Sequence, residues 1–264
     1  MILRTYQQQA VDGIVRTLNR VGSCLVVAPT GTGKTPIIAE IVKLAAKGRV
    51  LVLAHREELI VQLAGTIRAT GLEVGIEMAD WHAEERWWDR PQVVVATVQT
   101  LTATNCNRLH ELVDHPDDWS ITIIDEAHHA PADTYRKIID HMGNNDNHRL
   151  VGFTATPSRA DDIALGSIFE EVAFEYTIRD AMADGYLVPP RMKYVQVESL
   201  TYEHVRTTCG ELNGADLAKV MEDERNVHAM AVPMFEVATS AWNVVFCSTV
   251  AQAEEITMVL NRLE

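Results

Sequence analysis

Short β-branched runs alternate with longer stretches of helical pattern along the first two-thirds of the chain. The runs at residues 23–28, 49–54, 93–97, 121–125 and 150–154 are almost wholly apolar, as strands covered on both faces must be. Between them, helical patterns occupy residues 34–46, 57–69 and 132–142. Strand–helix alternation with crossovers of that length predicts an α/β fold with a parallel sheet. A further helical pattern at 178–183 runs into Asp184-Gly185 and then Pro189-Pro190, a strong stop and linker signal. The expected first domain is therefore residues 1–190. Residues 191–264 hold a strand-like run at 193–197, a charged helical stretch at 216–239, a second run at 243–247 and a helix at 251–263. These elements predict the opening of a second α/β unit, too short of strands to bury a sheet by itself.

Composition changes this picture little. The 264 residues are 47% hydrophobic and 23% charged, ordinary for a globular chain with an adequate core. The start of the chain has no apolar stretch behind a basic segment, and no apolar run is long enough to span a bilayer. Cys24, Cys106, Cys209 and Cys247 are scattered without a CxxC pair, so a reducing, cytoplasmic setting without membrane contact is expected. The formal charge of −14 runs against phosphate binding, which usually leaves a basic footprint.

Two motifs carry chemistry. Ala28-Pro29-Thr30-Gly31-Thr32-Gly33-Lys34-Thr35 follows a buried-type strand and opens a helix. Glycines there let backbone N–H groups of Thr30, Gly31, Thr32 and Gly33 curl round phosphate oxygens, and the helix N-terminus adds positive potential. Lys34 would pair with phosphate charge and the Thr35 hydroxyl would ligate Mg²⁺. The generic pattern has Gly where Ala28 stands, and a plain Gly-rich turn before a helix is the alternative. The second motif, Asp125-Glu126-Ala127-His128, ends a later strand, on the edge where open α/β sheets bind ligands. Asp125 would hold Mg²⁺ through water, and Glu126 would orient and deprotonate an attacking water. Two acids at that place could also simply favour a helix N-terminus.

Together these segments resemble the superfamily-two helicases of the DEAD/DEAH-box type, in which Ala commonly replaces the first Gly of the loop. The resemblance continues in order. Arg4-x-Tyr6-Gln7 is similar to the segment that reads adenine, which assigns Arg4 and Gln7 to the base of ATP. Ala54-His55-Arg56-Glu57-Glu58-Leu59 and Thr97-Val98-Gln99-Thr100-Leu101 resemble motifs that touch the nucleic-acid backbone, through His55, Arg56, Thr97, Gln99 and Thr100. Thr154-Ala155-Thr156-Pro157 resembles the motif coupling ATP state to strand movement, so Thr154, Thr156 and the motif residue His128 are expected to couple. Val245-Phe246-Cys247-Ser248-Thr249 resembles the first motif of a second RecA-like domain. With Tyr186-Leu187-Val188-Pro189-Pro190 included, the likeness is to the RadD-like bacterial repair helicases.

The resemblance implies ATP and Mg²⁺ as cofactors, nucleic acid as partner, with DNA ahead of RNA, and a hydrolysis-driven motor. Backbone contacts made by N–H groups and hydroxyls would partly reconcile strand binding with the acidic charge. A Gly-Arg-x-x-Arg-type pair, which in that family stabilises the transferring phosphoryl group, does not occur after Thr249. The expectation is a motor truncated before its arginine fingers, which a missing C-terminal half or a partner chain would supply; a non-catalytic, nucleotide-gated regulatory subunit is the alternative. Two smaller features have plainer readings. Trp81, Trp87 and Trp88 could stack on bases, but beside Glu84, Glu85 and Asp89 they read better as packing on a sheet edge. His128, His129, His141 and His148 lack cysteines at zinc spacing and read, His128 apart, as solvated or capping side chains.

Overall fold

The structure is a computed structural model that describes residues 2–83, 90–104, 107–143, 147–155, 164–197, 199–208, 211–238 and 242–263. Two compact units divide the chain, Met1–Pro189 and Pro190–Glu264.

The first unit is built on seven parallel strands: β1 (Ser23–Val27), β2 (Arg49–Ala54), β3 (Val74–Glu77), β4 (Val93–Thr97), β5 (Trp119–Asp125), β6 (Arg149–Thr154) and β7 (Glu171–Glu175). Their order in the sheet is β3-β4-β2-β5-β6-β1-β7, and every recorded pairing is parallel. Residues of β1, β2 and β4 are buried throughout, which is what an apolar run flanked by strands and covered by helices should give. Alternate side chains supply two cores. Cys24, Val26, Val50 and Val52 pack with Ile14, Ile37 and Ile60 from α1 (Thr5–Leu18), α2 (Lys34–Ala45) and α3 (Glu57–Arg68). Leu25, Leu51 and Leu53 pack with Leu101, Leu109 and Ile138 from α4 (Val98–Thr102), α5 (Arg108–Leu112) and α6 (Asp133–Met142). Each such Val, Leu or Ile contributes about 1.5–3 kcal/mol by leaving water.

Three elements of this unit lack a strong sequence signal. Helix α1 carries polar Gln7-Gln8-Gln9, yet Tyr6, Ala10, Val11, Ile14 and Thr17 form a buried stripe at helical spacing. Strands β3 and β7 are the two edges of the sheet; β3 is buried only at Ile76 and Glu77, and no residue of β7 is buried. A short helix α7 (Ile178–Ala183) closes the unit, its Thr177 and Asp180 side chains bonded reciprocally in a capping box.

The second unit differs from expectation. Residues 193–197 and 243–247 belong to no strand, and the strands described in this unit are the two-residue β8 (Thr207–Thr208) and β9 (Glu211–Leu212). Tyr194 is 87% exposed and Phe246 95% exposed. An apolar run without a neighbouring strand has no ladder in which to place its backbone groups, so periodicity alone does not make it a strand. The charged helical stretch is two helices, α8 (Gly214–Met221) and α9 (Glu224–Ala238). Asn213 accepts from the N–H groups of Ala215 and Asp216 at the start of α8. Helix α10 (Val250–Leu263) packs on α9 through Val227, Ala231, Ile256 and Val259.

Candidate nucleotide site and strand groove

The loop after β1 is held from three sides. Ala28 N–H donates to Thr154 O at 2.9 Å, joining the loop to the end of β6. Thr32 closes on Pro29 O through its hydroxyl at 2.6 Å. From α1, the Tyr6 hydroxyl donates to Thr32 O, and the Gln7 amide donates to Gly33 O at 3.1 Å and to Thr32 O at 3.5 Å. The Gln7 carbonyl accepts from Arg4 N–H at 2.8 Å. Gly33 has φ +82°, and a Cβ there would stand 2.8 Å from the Gln7 amide, so glycine is required both by backbone conformation and by this close approach. Thr30 and Gly31 are exposed. Arg4 places its guanidinium 4.6 Å above the Tyr186 ring, and Tyr6 stacks on Tyr176 at 4.4 Å.

Lys34 and Thr35 are the first two residues of α2. The Lys34 ammonium lies 3.7 Å from Glu126 Oε1 and 3.5 Å from Ala28 O. Asp125 ends β5 and is 7% exposed. Burial, then the adjacent Glu126 carboxylate, raise its pKa above the ordinary carboxylate range, against the opposing pull of Lys34. Glu126 takes the left-handed conformation, φ 54° and ψ 53°, rare for a non-glycine residue and costly enough to be noticed. Its N–H donates to Asp125 Oδ1 at 3.1 Å, and its Oε2 lies 3.5 Å from His128 Nδ1. Tyr135, 3% exposed, faces the field of both acids. Burial first, then Asp125 and Glu126, push its phenol up to about 12.

This donor set fits a magnesium nucleotide. It offers a loop bent through left-handed glycines at a helix N-terminus, an ammonium, a hydroxyl and a buried carboxylate whose charge is under-compensated. A divalent cation relieves that carboxylate.

A groove of about 580 Å³ opens beyond the ends of β2 and β4, lined in part by His55, Glu57, Asp80, Thr97, Gln99, Thr100 and Arg108. It gathers four of the expected strand contacts, while the fifth, Arg56, stands exposed ahead of α3. Thr97 caps α4, its hydroxyl bonded to that of Thr100 at 2.7 Å. Gln99 Nε2 and His55 Nδ1 are 3.0 Å apart. Arg108, which the sequence did not mark, is tied to buried Glu77 at 2.5 Å and donates to the carbonyls of Ala79 and Trp81. It holds the turn at residues 78–81 against the groove. Of the coupling residues, Thr154 is fully buried and His128 touches Glu126, whereas Thr156 lies outside the described residues, as do Trp87 and Trp88.

The sequence pattern of the family described as "Type III restriction enzyme, res subunit" matches residues 1–159, the stretch that carries every acid, hydroxyl and amide just described up to Tyr135. The chain belongs to this family. It is also 31% identical over 238 residues to "Putative ATP-dependent helicase IRC3" of Saccharomyces cerevisiae, covering 83% of this chain and 33% of that protein. Over 160 residues it is 31% identical to "Putative DNA 3'-5' helicase Rad25" of Halobacterium salinarum, covering 61% of this chain and 24% of that one. In fold it is similar to the Pyrococcus furiosus Hef helicase domain, with a TM-score of 0.57 at 21% identity over 98% of this chain and 53% of that one. The sheet is thus RecA-like, and the chain stands among superfamily-two helicase relatives. It spans a third or less of the length of these two curated relatives. Among the described residues, no helix is long and apolar enough to cross a membrane.

Proposed function

We propose that this chain is the ATP-binding portion of a nucleic-acid-dependent motor that couples ATP hydrolysis to movement along, or unwinding of, DNA. The observation that carries it is the 3.7 Å approach of Lys34 to Glu126, which brings phosphate loop and acid pair to one point on the edge where parallel sheets bind ligands. Backbone N–H groups of residues 30–33 and the Lys34 ammonium would hold the β- and γ-phosphates. The Thr35 hydroxyl and, through water, the Asp125 carboxylate would hold Mg²⁺. Bound Mg²⁺ supplies charge neutralisation to the phosphate oxygens. Glu126 orients the attacking water and takes its proton. That carboxylate is shared between Lys34 and His128, so a phosphate that draws Lys34 away leaves Glu126 Oε1 free to act as base. Arg4 and Gln7 would read the adenine edge beside the loop that Gln7 bonds.

His55, Arg56, Thr97, Gln99 and Thr100 would contact phosphate and sugar of one strand, without sequence preference. DNA is placed ahead of RNA because the Halobacterium relative carries DNA in its name. The segment Tyr186–Pro190 supports a place beside the RadD-like repair helicases. Among the described residues the cation that pairs with the acid pair is Lys34. We therefore assign the second cation needed in phosphoryl transfer to arginines supplied by another part of the full protein or by a partner chain. Residues 191–264 would be the linker and first portion of the second RecA-like domain. Coupling through His128, Thr154 and Thr156 belongs to the same proposal.

Glu126→Gln is the direct test. It keeps shape and removes the base, so magnesium nucleotide should bind as in the parent while phosphate release, measured with and without single-stranded DNA or RNA, falls to background. Turnover equal to the parent's would remove Glu126 from this role.

A further inference from the structure

Four side chains span the distance between the strand groove and the acid pair. Gln99 Nε2 meets His55 Nδ1 at 3.0 Å on the groove side. The His55 ring lies 5.0 Å from the His129 ring, and His129 lies 4.1 Å from His128. His128 Nδ1 ends the series 3.5 Å from Glu126 Oε2. The topology makes this crossing short, because β4, β2 and β5 are neighbours in that order. His55 and Glu126 follow directly from the ends of β2 and β5, and Gln99 lies two residues beyond β4. His129 closes a single 3-10 turn, Ala127–His129, in which its own N–H donates to Glu126 O at 3.1 Å. The Tyr135 ring lies near-parallel to it at 6.4 Å. Its position is set on three sides, so a displacement of His55 has little slack to be lost in.

We propose that His129 is the positioning residue through which an occupied strand groove is felt at Glu126. This deepens the motor function proposed above and rests on it. His129 touches neither phosphate nor strand. A strand that engages Gln99 and His55 shifts the His55 ring, the shift passes by ring contact through His129 to His128, and His128 changes its hold on Glu126 Oε2. Glu126 suits such a step: it is held in the left-handed region, and its two oxygens are divided between Lys34 and His128. Contact alone is a geometric warrant, and coupling is a free energy to be measured between the two sites.

The test measures that coupling by binding, with no need of turnover. The affinity of this chain for a fluorescein-labelled oligo-dT is titrated with and without adenylyl-imidodiphosphate and Mg²⁺. The parent should show a ratio of dissociation constants in the range of about 5–150 for coupled sites. His129→Ala should bring the ratio to near one while leaving nucleotide-free strand affinity within about twofold, a smaller change than the coupling range itself. His129→Phe, which keeps a ring in place, should restore at least half of the parent's ratio on a logarithmic scale. In parallel, the His128 Cε1–H resonance should shift on oligonucleotide addition in the parent. That measurement decides the matter should the alanine variant fail to fold. An unchanged ratio in His129→Ala, or an unmoved His128 resonance in the parent, overturns the proposal. So does a parent ratio of one with both ligands bound. A parent that binds neither ligand overturns the motor function itself, and this proposal with it.

Discussion

Residues 93–97 and 243–247 look alike in the sequence: each is a run of five with four apolar residues, adjacent valines among them. In the first unit Val93–Thr97 is buried at every position, with strands on both sides. In the second, Val245 and Cys247 rest on the helical pair while Val244 is 80% and Phe246 95% exposed. The difference lies in neighbours and not in the run itself. A strand in the middle of a sheet has each backbone group bonded and each face covered, whereas the same run beside two helices has one face covered and no ladder.

The largest effect that separates the two environments should come from one substitution made in each. Phe153, on β6, is fully buried, so Phe153→Ala should cost about 3–5 kcal/mol in a denaturant titration. Phe246→Ala should stay within about 0.5 kcal/mol. Equal costs would mean that residue 246 is packed in solution, and the contrast would be lost.

Next in size is nucleotide binding, which the proposed site would draw wholly from the first unit. Lys34→Ala removes a charge-assisted contact of about 1.5–3 kcal/mol, so the affinity for magnesium nucleotide in calorimetry should fall about tenfold or more. Phe246→Ala should leave it unchanged. Loss of binding in the second variant would bring the second unit into the nucleotide site.

The smallest effect concerns the buried acid. Asp125 has its pKa raised in the folded chain, by burial and then by Glu126. The folded state therefore holds that proton more tightly than the unfolded state. The stability it contributes is fully present below the unfolded value and is lost as pH rises through the folded one. Without nucleotide and Mg²⁺, Asp125→Asn should raise the melting temperature at neutral pH, and the gain should shrink as pH is lowered through the raised pKa. A variant less stable than the parent at neutral pH would show that Lys34 outweighs burial.

What could be read from the sequence follows the same division. The runs that became β1, β2, β4, β5 and β6 are interior strands, and their two-sided burial demands unbroken apolar residues. The edges β3 and β7 face solvent on part of their surface, tolerate Gly75, Glu171 and Glu175, and so blend into their surroundings. Helix α1 escaped notice because Gln7 is polar yet buried, its amide spent on the loop. The phosphate loop and acid pair were legible because that chemistry fixes residue types at fixed spacing. His129 and Arg108 were not, since each acts through a residue far away in the chain: His55 for one, Glu77 for the other. A histidine with a solvated reading in sequence acquires a role only when the fold supplies its neighbours.

The position of β1 within the sheet bears on how the chain comes into being. It is the first strand of this unit to leave the ribosome, yet its partners are β6 and β7, both near the far end of the unit. At ~5–20 residues per second of synthesis, roughly ten seconds or so pass during which residues 23–27 have no edge to join. Strands β2, β3, β4 and β5 can assemble in that interval, with the nascent β1 and its loop waiting outside. Closure of the sheet by such a distant pairing is the slow, high-contact-order step. The loop proposed to grip phosphate would then take shape only after nearly all of the first unit has been made, so an unfinished chain would be spared from sequestering nucleotide.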